Sequence, residues 1–231
     1  MIDETDFETF LYISKYKYQI FVHDKNSLTN LYNIESKIED DIELRDLSKF
    51  LDENIYKIEK MTNNFIRNII LIIDDNKILN TNISVKKKNY DKHIDQKYLE
   101  NTLKEVKDIF RESYQDQIIM HMIIVNQDSN ENNFLSNSAD VKREYSYLEI
   151  NFISISNSLT FIFDKLLENH QIKIKKYMSG TYIKSFFSED ETELPVMANK
   201  LNNGLNQNEV KLISKTTINK GFFEKFFQLF S

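Results

Sequence analysis

Apolar residues in the first part of the chain recur with two different periods. Residues 10–13 and 18–22 are short runs of aromatic and β-branched side chains, separated by the polar turn 14–17. A third run follows at 28–34, after Asp24, Lys25, Asn26 and Ser27. This pattern predicts three strands joined by tight turns. From Asp46 the period lengthens. Leu47, Phe50, Leu51, Ile55, Ile58, Met61 and Phe65 fall three and four residues apart and mark one face of a helix. Residues 69–73 are apolar without a break, which predicts a strand buried on both sides. Asp74, Asp75 and Asn76 then turn the chain into a half-exposed strand at 78–85.

A second helix is predicted over 95–114, with Leu99, Leu103, Val106, Ile109 and Phe110 facing inward. Asp95 stands where a carboxylate accepts the free N–H groups of the first turn. Strands are expected at 118–125 and 145–155, with a polar loop over 126–142. A third helix, capped by Asn157 or Ser158, runs to Glu168 with Leu159, Ile162, Phe163, Leu166 and Leu167 inside. A short strand at 172–178 completes an α+β pattern.

Composition narrows what such a fold does. With 231 residues, 41% hydrophobic and 13% aromatic, the chain has the means to bury a core. It has no cysteine, so disulfides, thiolate metal sites and cysteine nucleophiles are excluded. A net charge of −6 argues against a nucleic-acid partner. The opening Met-Ile-Asp-Glu-Thr-Asp has neither a basic nor an apolar leader, and no run of about 18 apolar residues occurs. A cytoplasmic protein is expected.

Glycine usage excludes more. The three glycines and single proline, Gly180, Pro195, Gly204 and Gly221, all lie at or beyond residue 180. Phosphate-cradling loops need glycine where the backbone meets the anion, so the body carries no such motif. The polar, acidic stretch 188–218 reads as a flexible linker. None of His23, His93, His121 and His170 forms a metal-type pair, and His121, within an apolar strand, reads as a satisfied structural histidine. The pairs Asp40–Asp41 and Asp74–Asp75 read as solvated turns. Lys86, Lys87, Lys88 and Lys92 read as the wet edge of a turn after a strand. No catalytic set, metal site or cofactor is expected, and the chain does not read as an enzyme.

The last thirteen residues have the sharpest pattern. As a helix, residues 219–231 place Phe222, Phe223, Phe226, Phe227 and Phe230 on one side. Lys220, Glu224, Lys225 and Gln228 fall on the other. Phenylalanine with flanking lysine is what an interfacial membrane helix uses. Burying five phenylalanines is worth at most about 7–15 kcal/mol. Partial insertion and the entropy of ordering the helix leave a few kcal/mol, a weak and reversible anchor that works best in several copies. The bland alternative is a terminal helix docked on the protein's own body.

In element order the chain resembles a truncated member of the FtsA family of bacterial cell-division proteins, within the actin-like superfamily. FLYISKYKYQIFVHD is similar to that family's first two strands. LSKFLDENIYKIEKMTNNFIRNIILIID, HIDQKYLENTLKEVKDIF and DQIIMHMIIVN are similar to its SHS2 (1C) subdomain. REYSYLEINFISISNSLTFIFDKLLENHQIKIKKYMSG is similar to the return into subdomain 1A, and NKGFFEKFFQLFS to its C-terminal membrane helix. The resemblance implies strands of a partial 1A core over 1–43, a 1C-like subdomain over 44–155, the return helix and strand over 156–187, the linker, and the anchor over 219–231. It implies self-association, contacts with division proteins and attachment to the inner face of the cytoplasmic membrane. Where the family has its first phosphate loop, this chain reads Tyr12-Ile13-Ser14-Lys15-Tyr16, without glycine or aspartate. It also reaches its tail where the second phosphate loop and subdomains 2A and 2B begin. ATP binding is therefore not expected, and FtsZ, which the family contacts through 2B, is not carried over as a partner. The runner-up is an interaction module of a pilus-assembly type of actin-like protein, its tail helix packed on the body or on a partner.

Overall fold

The structure, a computed structural model, describes residues 7–25, 27, 29–38, 44–88, 96–127, 145–187 and 193–211. The first two apolar runs form β1 (Phe7–Ser14) and β2 (Lys17–Asp24), an antiparallel hairpin in which Phe10 pairs with Phe21 and Ile13 with Tyr18. Their alternation divides two cores. Leu11, Ile13, Ile20 and Val22 point to one side of the sheet, Phe10, Tyr12 and Phe21 to the other. β3 (Asn30–Lys37) pairs with β2 as an exposed edge strand and runs past residue 34, where Glu35 pairs with Lys17 of β2.

Helix α1 (Leu44–Thr62) buries Leu47, Phe50, Leu51, Ile55 and Ile58 as its period predicts. It stops before Phe65, because Asn63 takes a left-handed φ of 53° that breaks the helical ladder. Phe65, past the helix end, is consequently exposed, and Met61, in the last turn of α1, is exposed as well. β4 (Asn68–Asp74) is buried on both faces, with Ile69, Leu71 and Ile73 in one core and Ile70 and Ile72 in the other. It lies parallel between β1 and β8 (Lys173–Ser179). The first sheet has the order β3-β2-β1-β4-β8, with β2 alone antiparallel to the rest.

The second sheet, in the order β5-β7-β6, is built from β5 (Leu79–Lys88), β6 (Gln117–Gln127) and β7 (Tyr145–Ser156). Helix α2 (Gln96–Ser113) covers one face. Leu103, Val106 and Phe110 meet Met122, Leu148, Ile150 and Phe152, and the Phe110 and Phe152 rings stack at 4.5 Å. Ile109, expected inside, is 38% exposed, and Thr102 is buried in its stead with its hydroxyl donating to the Tyr98 carbonyl. Lys86, Lys87 and Lys88 belong to β5 itself, and Lys87 pairs with Glu105 of α2. α1 packs on the first sheet, and β4, an apolar run with no polar face, lies within it between β1 and β8.

Helix α3 (Asn157–Glu168) takes its cap from Ser156, one residue earlier than expected. Ser156 has the extended φ and ψ that a cap requires, and its Oγ accepts the Leu159 N–H. α3 packs on the α1 side of the first sheet through Phe163 and Leu167, while Phe161 and Ile162 stay exposed. The opposite side is covered by α4 (Gly180–Phe186) and α5 (Leu194–Asn202). The stretch expected to be a flexible linker thus contains a packed helix over part of its length. Pro195 lies in the first turn of α5, where its fixed φ suits a helix start, and Met197, Ala198 and Leu201 are buried. Gly204, at φ 90°, then turns the chain back to a bridge between Glu209 and Ile123 of β6.

Candidate functional site

Three parallel strands end together. Ser14 of β1 is level with Asp74 of β4, and Ile73 with Ser179 of β8. The carboxyl ends of parallel strands are where α/β sheets hold ligands. Here the chain's own side chains fill that place. In the β1–β2 turn the Ser14 hydroxyl accepts the N–H groups of Tyr16 and Lys17 at 3.3 and 3.2 Å, and donates to the Lys17 carbonyl. Those amides are the donors that a phosphate loop would leave open.

Beside the turn, Asp74 accepts three hydrogen bonds: from Tyr12 Oη at 2.9 Å, Thr181 Oγ1 at 2.9 Å and Lys184 Nζ at 2.5 Å. Lys184 also donates to Tyr12 Oη at 2.8 Å and lies 5.1 Å over its ring. Asp74 is therefore not the solvated turn residue expected from the sequence; its neighbour Asp75 is, accepting the Lys77 N–H. Burial alone would raise the Asp74 carboxyl, but the bonds from Lys184, Tyr12 and Thr181 outweigh it and hold the group below its ordinary value. Burial would likewise lower Lys184, and Asp74 with Tyr12 keeps it raised. Gly180 permits this closure. A Cβ there would stand 2.8 Å from Asp74 Cβ and 3.2 Å from Tyr12 Cε2.

A second polar group ties the two sheets together. His121 of β6 is 1% exposed, its Nε2 accepts the Ser179 N–H at 2.9 Å, and its Nδ1 lies 3.0 Å from Glu209 Oε1. A backbone N–H always donates, so Nε2 carries no proton and Nδ1–H donates to Glu209. The ring is locked as one neutral tautomer. Burial lowers the His121 pKa against the pull of Glu209. Burial would raise the Glu209 carboxyl, but the His121 hydrogen bond and the Lys176 and Lys211 charges hold it low. His121 is a satisfied structural histidine.

Lys220, Phe222, Phe223, Lys225, Phe226, Phe227 and Phe230 lie outside the described residues, as do His93, Asp40 and Asp41. Among the described residues no group of His, Asp or Glu could hold a metal ion, and no helix is long and apolar enough to cross a membrane.

Structural comparison bears on this geometry. The PilM–PilN type IV pilus biogenesis complex matches with a TM-score of 0.50 at 9% identity, over 79% of this chain and 50% of that one. The chain has a partial actin-like fold. The cytoplasmic domain of EpsL, an inner-membrane component of the type II secretion system of Vibrio cholerae, matches with a TM-score of 0.38 at 9% identity, over 77% and 58% of the two chains. A Bacteroides thetaiotaomicron protein of actin-like ATPase fold and unknown function matches at 0.34 and 12% identity, over 82% and 60%. The chain spans between half and three fifths of the length of these structures. No family model and no curated protein matches it.

Proposed function

We propose that the chain is a non-catalytic actin-like scaffold, held on the inner face of the cytoplasmic membrane by residues 219–231 and engaging other proteins of a membrane-bound machine. One observation carries the non-catalytic part. The strand ends where an actin-like protein would hold phosphates are closed by Ser14 on its own turn and by Tyr12, Thr181 and Lys184 on Asp74. Opening that place would cost an ion pair and several hydrogen bonds before any nucleotide is gained. The tether rests on the five-phenylalanine face of the tail.

The element-order resemblance supports an FtsA-like role in division, with self-association and division proteins as partners. The likeness to the PilM–PilN complex favours a second reading, a pilus-assembly type of interaction module whose tail helix packs on the body or a partner. Phe226→Asp separates the two. A tether predicts lost lipid binding with an unchanged melting temperature. A packed tail predicts a lowered melting temperature or lost dimerisation, with no effect on lipid. In cells, a tagged copy in a midcell band supports the division role, and a diffuse signal supports the second reading.

A further inference from the structure

A groove of about 540 Å³ runs where β6 and β8 meet, walled by the C-terminal half of α2 and by the segment after α5. That volume suits a small molecule. Its lining is strongly basic. Lys107, Arg111, Lys175, Lys176 and Lys211 line it, with Glu209 as the one acid among the described residues. Five positive charges against one negative charge leave +4, and Glu8, pairing with Lys175 from outside the lining, lowers this to +3. This concentration stands out in a chain of net charge −6.

The cations are only partly neutralised. Lys107 and Arg111 sit four apart on one face of α2, a spacing at which like charges repel, and neither has an ion-pair partner among the described residues. Burial and the Arg111 charge lower the Lys107 ammonium. The Lys176 ammonium nitrogen is buried without a hydrogen bond, 3.6 Å from Glu209 Oε1. Glu209, its side chain 4% exposed, leaves Oε2 buried and unpartnered. Both strands bulge against the groove, β6 at Met120 and β8 at Lys175. The extra residue brings both Lys175 and Lys176 to the lining.

We propose that this groove binds a hydroxyl-bearing phosphate ester, the phosphate held by Lys107, Arg111 and Lys176 and a ligand hydroxyl donating to Glu209 Oε2. The guanidinium fork of Arg111 and the Lys176 ammonium, which makes no hydrogen bond of its own, supply the donors that a phosphate accepts. The buried free carboxylate oxygen selects an ester with a hydroxyl over bare phosphate. A soluble polyol phosphate and the headgroup of phosphatidylglycerol share this chemistry. None of the residues named belongs to 219–231, so the groove and the tether are tested separately.

The test uses the full chain at fixed ionic strength. Glycerol 3-phosphate at about ten times its dissociation constant raises the melting temperature by roughly 3–6 °C, with less effect from inorganic phosphate and none from chloride. Lys107→Glu/Arg111→Glu, on an exterior helix face, keeps its unliganded melting temperature and loses the shift; Lys176→Met loses it too. If the source is the lipid headgroup, the double variant instead floats less with phosphatidylglycerol vesicles, and glycerol 3-phosphate competes for the parent chain. The proposal is overturned if neither ligand nor vesicle distinguishes the variants from the parent.

Discussion

The His121–Glu209 pair yields a double-mutant cycle whose size follows from its geometry. In His121→Phe the Ser179 N–H loses its acceptor and Glu209 loses its donor, both in buried positions. A buried unpaired amide costs about 1–3 kcal/mol. A buried carboxylate stripped of its partner brings the total to about 3–5 kcal/mol, with Lys176 at 3.6 Å as its remaining support. Glu209→Leu alone leaves the Nδ1–H unsatisfied, at about 1–3 kcal/mol. The double variant keeps the orphaned Ser179 N–H, again about 1–3 kcal/mol, and shares with Glu209→Leu the loss of the Lys176 counter-charge, which cancels in the cycle. The single costs less the double cost leave a coupling of about 3–5 kcal/mol in favour of the pair. Urea unfolding of the four proteins, followed by circular dichroism, measures it. A coupling under about 0.5 kcal/mol, or a double variant as unstable as the sum of the singles, would show that the pair does not hold the segment after α5 to β6.

Gly180→Ala forces a Cβ to within 2.8 Å of Asp74 Cβ, and overpacking of that kind destabilises by about 1–3 kcal/mol; an unchanged urea midpoint would mean the strand ends are looser than described. His23 is fully buried edge-on to the stacked rings of Phe10 and Phe21 with neither ring nitrogen hydrogen-bonded, and burial lowers its pKa from 6.5 against the opposing charges of Glu193 and Glu8. A folded-state pKa below the unfolded value gives stability that is present above 6.5 and lost as pH falls below it. Unfolding free energy from pH 7.5 to 5 therefore drops less steeply in His23→Phe than in the parent, and parallel curves would refute the assignment. Phe152→Ala, at the centre of the second sheet's core, costs about 3–5 kcal/mol in the same urea experiment.

The parts of this fold that were legible in the sequence are those set by local pattern. β4 announced itself as five apolar residues without a polar face, and α1 by its spacing up to Ile58. The alternation of β5 followed its half-exposed register. What stayed hidden depends on distant partners. Asp74 resembles a turn residue until Tyr12, 62 positions away, and Thr181 and Lys184, 107 and 110 positions away, close on it. Glu209 meets His121 across 88 positions, so nothing local marks it as buried. α5 was masked by composition. Proline and asparagine read as linker chemistry, whereas Pro195 starts a helix and Asn199 is buried within it. The basic groove leaves no local mark, because its cations come from α2, β8 and the segment after α5 and never form a run.

Membrane tethering by the tail is the claim that most directly separates this account from its rivals, and liposome flotation measures it. The full chain and a version ending at Thr217 are mixed with vesicles containing anionic lipid and spun through a density gradient. With a lipid-binding tail, the full chain rises with the vesicles and the shortened chain stays at the bottom. Equal flotation of the two, or none by either, contradicts tethering by the tail.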